Sequence, residues 1–413
     1  MRLKEWIIDS ASGPFGSNLK VENFVSTGFP IIDGANLKGI KLTDNITKFV
    51  TEAKARSLER SIAKQHDVVV TISGTLGQIS YIPYNSKYQE YLCSQRQFRV
   101  TFDETKVSVK YLVYYFHTQC GQKKILAFAN YVGVPALSQP IPNFKNIEVD
   151  FPDLNTQIKV VEVLSALDDK IELNNKVNQE LEKTAKDLYN YWFVQFDFPD
   201  GNKRPYKSSG GKMVYNDVLK RKIPEGWEVK NLLDIVEWIS GAQPPKATFI
   251  YQPQNGYVRF IQNRDYAGDT NVTYIKESKN NKVCDVFDIM MDKYGDAGRV
   301  RYGLAGAYNV ALSKIKVNVR YGQEYIRKFL ESDSVYNYLY NACMASTRAS
   351  LNGEILGNLN IAIPNDTLLK NYEMRNKQII NQILQNKQEN EILSNLRDFL
   401  LPMLMNGQVS VSD

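Results

Sequence analysis

Residues Leu154–Pro199 read LNTQIKVVEVLSALDDKIELNNKVNQELEKTAKDLYNYWFVQFDFP, and the spacing of their apolar positions decides the fold. A heptad seam runs through Leu164, Leu167, Ile171, Asn174, Asn178, Leu181, Ala185, Leu188 and Trp192, in alternating steps of three and four. That pattern predicts a long helix from about Leu154 to Phe196. The same pattern returns 212 residues later, through Asn376, Ile379, Ile383, Asn386, Asn390, Leu393, Arg397, Leu400 and Leu404. Seven of these nine positions keep the apolar or Asn character of their counterparts; Asn376 and Arg397 do not. A second helix is therefore predicted over Asp366–Leu404. A buried Asn is costly unless another amide faces it, so mid-seam Asn selects register. An antiparallel pair would set Asn174 and Asn178 across from Asn386 and Asn390. The periodicity equally admits two separate surface helices with solvated asparagines.

The offset continues upstream. Phe144–Pro152 (FKNIEVDFP) and Leu356–Pro364 (LGNLNIAIP) each predict an alternating strand ending in a proline that marks a helix boundary. Looser matches precede them. Phe29–Asn36 corresponds to Val258–Asn263, and Asp67–Gly77 to Phe287–Gly298; in the latter pair each reads as an apolar strand, a Gly-containing turn and then a second strand. A helix follows in both copies, near Val109–Thr118 and Glu324–Leu330. Between the copies, Asp197–Ile223 is rich in Gly, Pro, Ser and charge and is predicted to be a linker. The chain is thus written twice: globule, long helix, linker, globule, long helix.

With 413 residues, 43% of them hydrophobic, there is material for two or three cores. No run of about 18 apolar residues suggests a membrane span. The opening Met1–Trp6 lacks the apolar region of a signal peptide, so a cytoplasmic location is expected. The net charge of +6 permits a polyanionic partner without requiring one. Cys93, Cys120, Cys284 and Cys343 are scattered, and His66 and His117 are the two histidines. No metal site is expected from them; free, mostly buried thiols are.

Catalytic signatures are missing from the sequence. There is no NPPY-type tetrapeptide for an amino-methyltransferase. Ser209–Lys212 lacks the first glycine of a phosphate-binding loop. Pro224–Lys230 sets its carboxylates too close together for a nuclease centre. Asp168–Asp169, mid-helix beside Lys170, reads as a solvated face. Gly74–Gly77 reads as a hairpin turn that could also cradle a phosphate. Two globules on a helical strut suit a DNA reader and a protein-binding adaptor alike.

The helix phrase above, KIPEGWEVKNL at the start of the second globule and ILSNLRDFLLPMLMNGQV near the end closely resemble specificity subunits of type I restriction–modification enzymes. The resemblance covers nearly the whole chain. PDLNTQ and PNDTLL stand where many members carry PxxEQ, with Gln157 and Gln378 near the expected place. The resemblance implies an α+β protein with two globular target-recognition domains and an internal pseudo-two-fold repeat, joined by two long antiparallel coiled-coil helices. The expected divisions are 1–152 and 224–364 for the globules, 153–196 and 365–405 for the helices, 197–223 for the linker and 406–413 for a tail. It implies a non-catalytic subunit that binds double-stranded DNA at a bipartite, asymmetric site, as part of anti-phage defence. Two copies of a methylation subunit and a restriction-translocase subunit are the implied partners. No cofactor is expected in this chain; S-adenosylmethionine, ATP and Mg are expected in the partners.

For such a reader, Lys and Arg supply affinity through phosphates and base-edge contacts supply specificity. Candidate contacts in the first globule are Asn36, Lys38, Arg96, Gln97, Lys123, Lys124 and the loop Tyr131–Gln139, including Ser138 and Gln139. In the second they are Arg259, Asn263, Arg264, Lys293, Arg299, Arg301 and Arg348. Readers one helical turn apart would place half-sites about 10 base pairs apart, centre to centre.

Overall fold

The computed structural model describes residues 1–268, 271–345 and 350–411. Arg348 and its neighbours 346, 347 and 349 lie outside the described residues. The chain divides into two compact units, Met1–Glu172 with Asn390–Asp413, and Leu173–Glu389. Each consists of one globule and one half of each long helix.

In the first unit an antiparallel sheet runs in the order Ile7–Ser12, Gln97–Phe102, Val68–Thr71, Ile79–Tyr81. A second sheet contains the parallel pair Phe29–Ile32 and Glu90–Cys93, with Ile62–Lys64 outside it. The other unit repeats this topology: Val236–Ser240, Leu312–Val317, Ile289–Asp292, Val300–Arg301 in one sheet, and a parallel pair Tyr257–Ile261 and Gly306–Tyr308 in the next. The helix pair Val109–His117 and Gln119–Leu126 corresponds to Gln323–Glu331 and Asp333–Met344. All four inner strands of the parallel pairs are rich in apolar residues, as a sheet covered on both faces requires.

The long helices span Leu154–Tyr189, continued by a π-helical turn over Asn190–Val194, and Asp366–Met405. All nine seam positions on each helix are buried or half-buried, including Asn376 and Arg397. Within the first unit, Val160, Val161 and Leu164 share a core with Leu404 and Met405. Within the second, Tyr189, Trp192 and Phe193 share one with Leu368, Leu369 and Tyr372. The start of one helix thus meets the end of the other, an antiparallel arrangement. Asn386 Nδ2 donates to Asn178 Oδ1 at 2.8 Å, and Asn174 Nδ2 donates to Glu389 Oε2 at 2.8 Å. The seam member Asn376 is buried, its Nδ2 donating back to Tyr372 O.

Three sequence expectations need correction. Phe144–Pro152 forms no strand: Pro140–Lys145 is a short helix with Pro at its first turn, and Glu148 makes a single bridge to Arg2. Its counterpart Asn360–Ile363 does form a strand, paired with Glu228–Asn231. Asp168 is not solvated, because Tyr114 OH donates to one carboxylate oxygen and Arg397 Nη1 to the other, at 2.7 Å. The stretch between the copies is also more than a tether. Met213–Asn216 pairs with Arg221–Pro224, and Phe196, Phe198 and Ile223 are buried in the core of the second unit. Cys93, Cys284 and Cys343 are buried and Cys120 is exposed.

The second unit also encloses an ion pair invisible to periodicity. Arg327, wholly buried, donates to Glu324 Oε1 at 2.9 Å and to Phe287 O at 2.7 Å. Its guanidinium lies over the Tyr302 ring. Burial pushes the Glu324 carboxyl up to about 7, against the pull of Arg327.

Candidate nucleic-acid interface

The segment Ile72–Gln78 closes the hairpin between Val68–Thr71 and Ile79–Tyr81. Gly74 and Gly77 hold φ of 93° and 85°, a left-handed region that disfavours a Cβ. The Thr71 N–H donates to Gln78 O at 3.0 Å. Gln78 Oε1 accepts from the Thr71 hydroxyl while its Nε2 donates to Gly34 O, tying the turn to the loop after the parallel strand. Gln122 Nε2, from the helix Gln119–Leu126, caps Gly77 O at 2.9 Å.

Against this turn lies the small hairpin Ala129–Asn130 and Ala136–Leu137. Leu137 N–H donates to Ile72 O at 2.8 Å and Gly74 N–H to Pro135 O at 2.9 Å. Ile72 N–H in turn donates to Arg96 O at 2.6 Å, and a Cβ built on Gly74 would lie 3.7 Å from Arg96 Nη1. The fold therefore gathers Arg96, the Gly74 turn and the hairpin. Ser138 and Gln139 follow the hairpin, both exposed, with Gln139 in a left-handed conformation before Pro140.

The other candidates of this unit are buried or stand on other elements. Asn36 is buried; its Nδ2 donates to Thr43 O and Asn45 O, and its Oδ1 accepts from Asp33 N–H. Gln97 is buried, its Oε1 accepting from the Ser94 backbone and hydroxyl. Both amides shape turns and neither is presented to solvent, which corrects their reading as surface contacts. Lys38 is exposed and lines a cavity of about 370 Å³ with Lys41, Tyr114, His117, Asp168 and Arg397. Lys123 is exposed, whereas Lys124 donates to Glu148 O and lies over the Tyr115 ring.

The second unit repeats three of these backbone bonds. Asp292 N–H donates to Arg299 O at 3.0 Å, Leu351 N–H to Lys293 O at 3.0 Å and Lys293 N–H to Ala311 O at 2.8 Å. Gly295 and Gly298 hold φ of 73° and 88°. The side chains, however, are ionic. Arg301 donates through Nε and Nη2 to Asp292 Oδ2, at 3.2 and 2.9 Å, and lies over the Tyr266 ring. Burial pushes the Asp292 carboxyl up to about 6, opposed by Arg301. Arg299 pairs with Asp296 at 2.9 Å and lies over Tyr336. Lys293 reaches Ser240 Oγ, and Arg264 is exposed beside Asp265. Arg259 and Asn263 are half-buried on and after the strand Tyr257–Ile261. Sequence reading missed Asp292, Asp296, Tyr266 and Tyr336, which orient these arginines. The only hint was the pair of acids within DKYGDAG.

Among the described residues no cluster of His, Cys, Asp and Glu could hold a metal ion, and no helix is long and apolar enough to cross a membrane. Each unit offers a hydrogen-bonded set of loops carrying cations, amides and aromatic rings.

Comparison with known proteins gives the same picture. Residues 18–183 and 224–398 each match the type I restriction modification DNA specificity domain. A curated relative from Methanocaldococcus jannaschii, the type I restriction enzyme MjaIX specificity subunit, is 24% identical across 98% of this chain and 92% of its own length. The HindI specificity subunit of Haemophilus influenzae is 24% identical over 64% of this chain and 69% of its own. The crystal structure of a type I restriction–modification S subunit from M. genitalium superposes with a TM-score of 0.63 at 15% identity, covering 98% of this chain and 95% of that one. With two copies of the family's domain spanning most of its length, the chain belongs to the type I restriction–modification specificity subunits, the non-catalytic, DNA-specificity members of those systems.

Proposed function

We propose that this chain reads a bipartite, asymmetric sequence in double-stranded DNA and thereby directs methylation and restriction carried out by partner subunits. One observation carries the reading: equivalent loops share their backbone hydrogen bonds but differ in chemistry, neutral around Thr71 and Gln78, ionic around Asp292 and Arg299. Two readers with one frame and different side chains suit two different half-sites. The partners would be two methylation subunits and a restriction-translocase subunit, which would hold S-adenosylmethionine, ATP and Mg, with the complex acting in the cytoplasm. Methylome sequencing of cells expressing this chain with its methylation subunits tests the proposal. A two-part, non-palindromic methylated motif is expected. Replacing residues 1–152 with those of another family member should change one half of the motif only. A palindromic or continuous motif, or a swap that rewrites both halves, would overturn it.

A further inference from the structure

The tip of the first unit's small hairpin exposes apolar surface where a water-facing loop would ordinarily carry polar groups. Tyr131, Val132 and Val134 are 66%, 88% and 66% exposed, on either side of Gly133 with its φ of 75°. Single exposed apolar residues are commonplace on protein surfaces. Three within four consecutive positions, at the end of a ribbon fastened to a DNA-reading loop cluster, are not. The ribbon's base is fixed by the bonds Gly74 N–H to Pro135 O, Leu137 N–H to Ile72 O and Ser138 N–H to Phe128 O. Val132 N–H also donates to Asn130 Oδ1, which stiffens the tip. The apolar groups are therefore held out rather than folded back.

A two-stranded ribbon fits the major groove of B-DNA, and the one apolar group displayed on a base-pair edge there is the thymine C5-methyl. Arg96 and the exposed Ser138 and Gln139, at the ribbon's base, supply the cation and the hydrogen-bonding groups that flanking phosphates and base edges require. In the second copy the corresponding stretch of sequence reads Ala345, Ser346, Thr347, Arg348, without the valines. Resting on the DNA-recognition reading above, we infer that Val132 and Val134 are specificity-determining residues that pack on thymine methyl groups of the first half-site, and of that half-site alone.

The experiment replaces each thymine of the methylated motif, singly, with deoxyuridine, which removes the methyl and leaves base pairing intact. Affinity of the full chain is then measured by competition. A contacted methyl is worth about fourfold in affinity by the transfer energy of one buried carbon group. Loss of that size is expected at one or two thymines of the half-site that a 1–152 swap rewrites, and none in the other half. The double variant Val132→Ser, Val134→Ser sits on solvent-exposed positions, so its circular dichroism and melting should match the parent. It should bind thymine and deoxyuridine duplexes equally. Indifference of the parent chain to every substitution, absence of thymine from that half-site, or a double variant that still discriminates would each overturn the inference. So would a double variant that changes only partner-subunit assembly. A parent chain with no sequence-selective binding at all would instead defeat the wider reading, and the inference with it.

Discussion

Thr71–Gln78 and Asp292–Arg299 close the same hairpin in the two copies, yet one turn is neutral and the other is built on charge. In the first, a hydroxyl and two amides hold the loop. In the second, Asp292 clamps Arg301 and Asp296 clamps Arg299. The backbone bond from the first residue of the turn to the last is 3.0 Å in both. What differs is what the frame presents. The comparison teaches that glycine geometry and main-chain bonds fix where a loop stands, leaving its side chains free to change what it recognises.

If glycines set the frame, the second turn should break at its two glycines, though unequally. A Cβ on Gly298 would approach Leu339 Cβ to 2.8 Å, whereas one on Gly295 would meet nothing. Gly298→Ala should therefore cost about 3 kcal/mol, combining the left-handed penalty with overpacking, and Gly295→Ala about 1 kcal/mol. Urea denaturation of the full chain reads both. Equal losses would mean that conformation alone matters at these sites.

Charge should make only the second turn sensitive to pH. Burial holds the Asp292 carboxyl at about 6 in the folded state, above its ordinary value of 3.8, so the folded state takes up a proton between roughly pH 4 and 6. The sign follows: stability is higher at the acid end and falls as pH rises through 6, by at most about 3 kcal/mol. Asp292→Asn should flatten that part of the stability profile measured by calorimetry. Thr71→Val, in the neutral turn, should leave it unchanged. A slope that survives Asp292→Asn belongs to the other carboxyls that burial raises, Asp67, Glu324 and Glu373.

The seam sharpens the comparison further. In the second unit it carries an amide pair, Asn178 and Asn386, and in the first an ion pair, Asp168 and Arg397. Asn178→Leu leaves the Asn386 amide without that partner and should cost about 2 kcal/mol. Joining it to Asn386→Leu should recover most of the loss, which a double-mutant cycle measures. The smallest effect is expected at the first unit's surface, where Lys41 pairs with Asp169 and Glu172. Both carboxylates are largely exposed, so Lys41→Met should cost about 0.5 kcal/mol and less still in high salt.

The parts legible in sequence were those with a period. The heptad steps located both long helices and even placed Asn376 and Arg397 on the seam, where their polarity argued against it. Apolar strands followed by glycine turns located the equivalent hairpins. Side-chain burial at single positions was not legible. Asn36 and Gln97 looked like base readers because an amide in a loop carries no mark of whether its partner is a base or the backbone. The Glu324–Arg327 pair, three residues apart on a helix, has the spacing of an ordinary surface ion pair. Only the covering elements, including Tyr302 and Phe287, make it internal. The candidate site was therefore legible as loops and not as a set of contacts.

The chain's division into units constrains the order in which it folds. The first unit takes its last piece, Asn390–Asp413, from beyond the whole of the second, Leu173–Glu389. Leu404 and Met405 are buried in the same core as Leu3, Trp6 and Leu164. During synthesis the globule made first therefore waits with an unfinished apolar face while the second is completed. Closing so long a loop is an entropic cost paid late, and such contacts between distant residues slow folding. The last helical turns then act as a latch, and a chain released before them would expose the first core rather than the second.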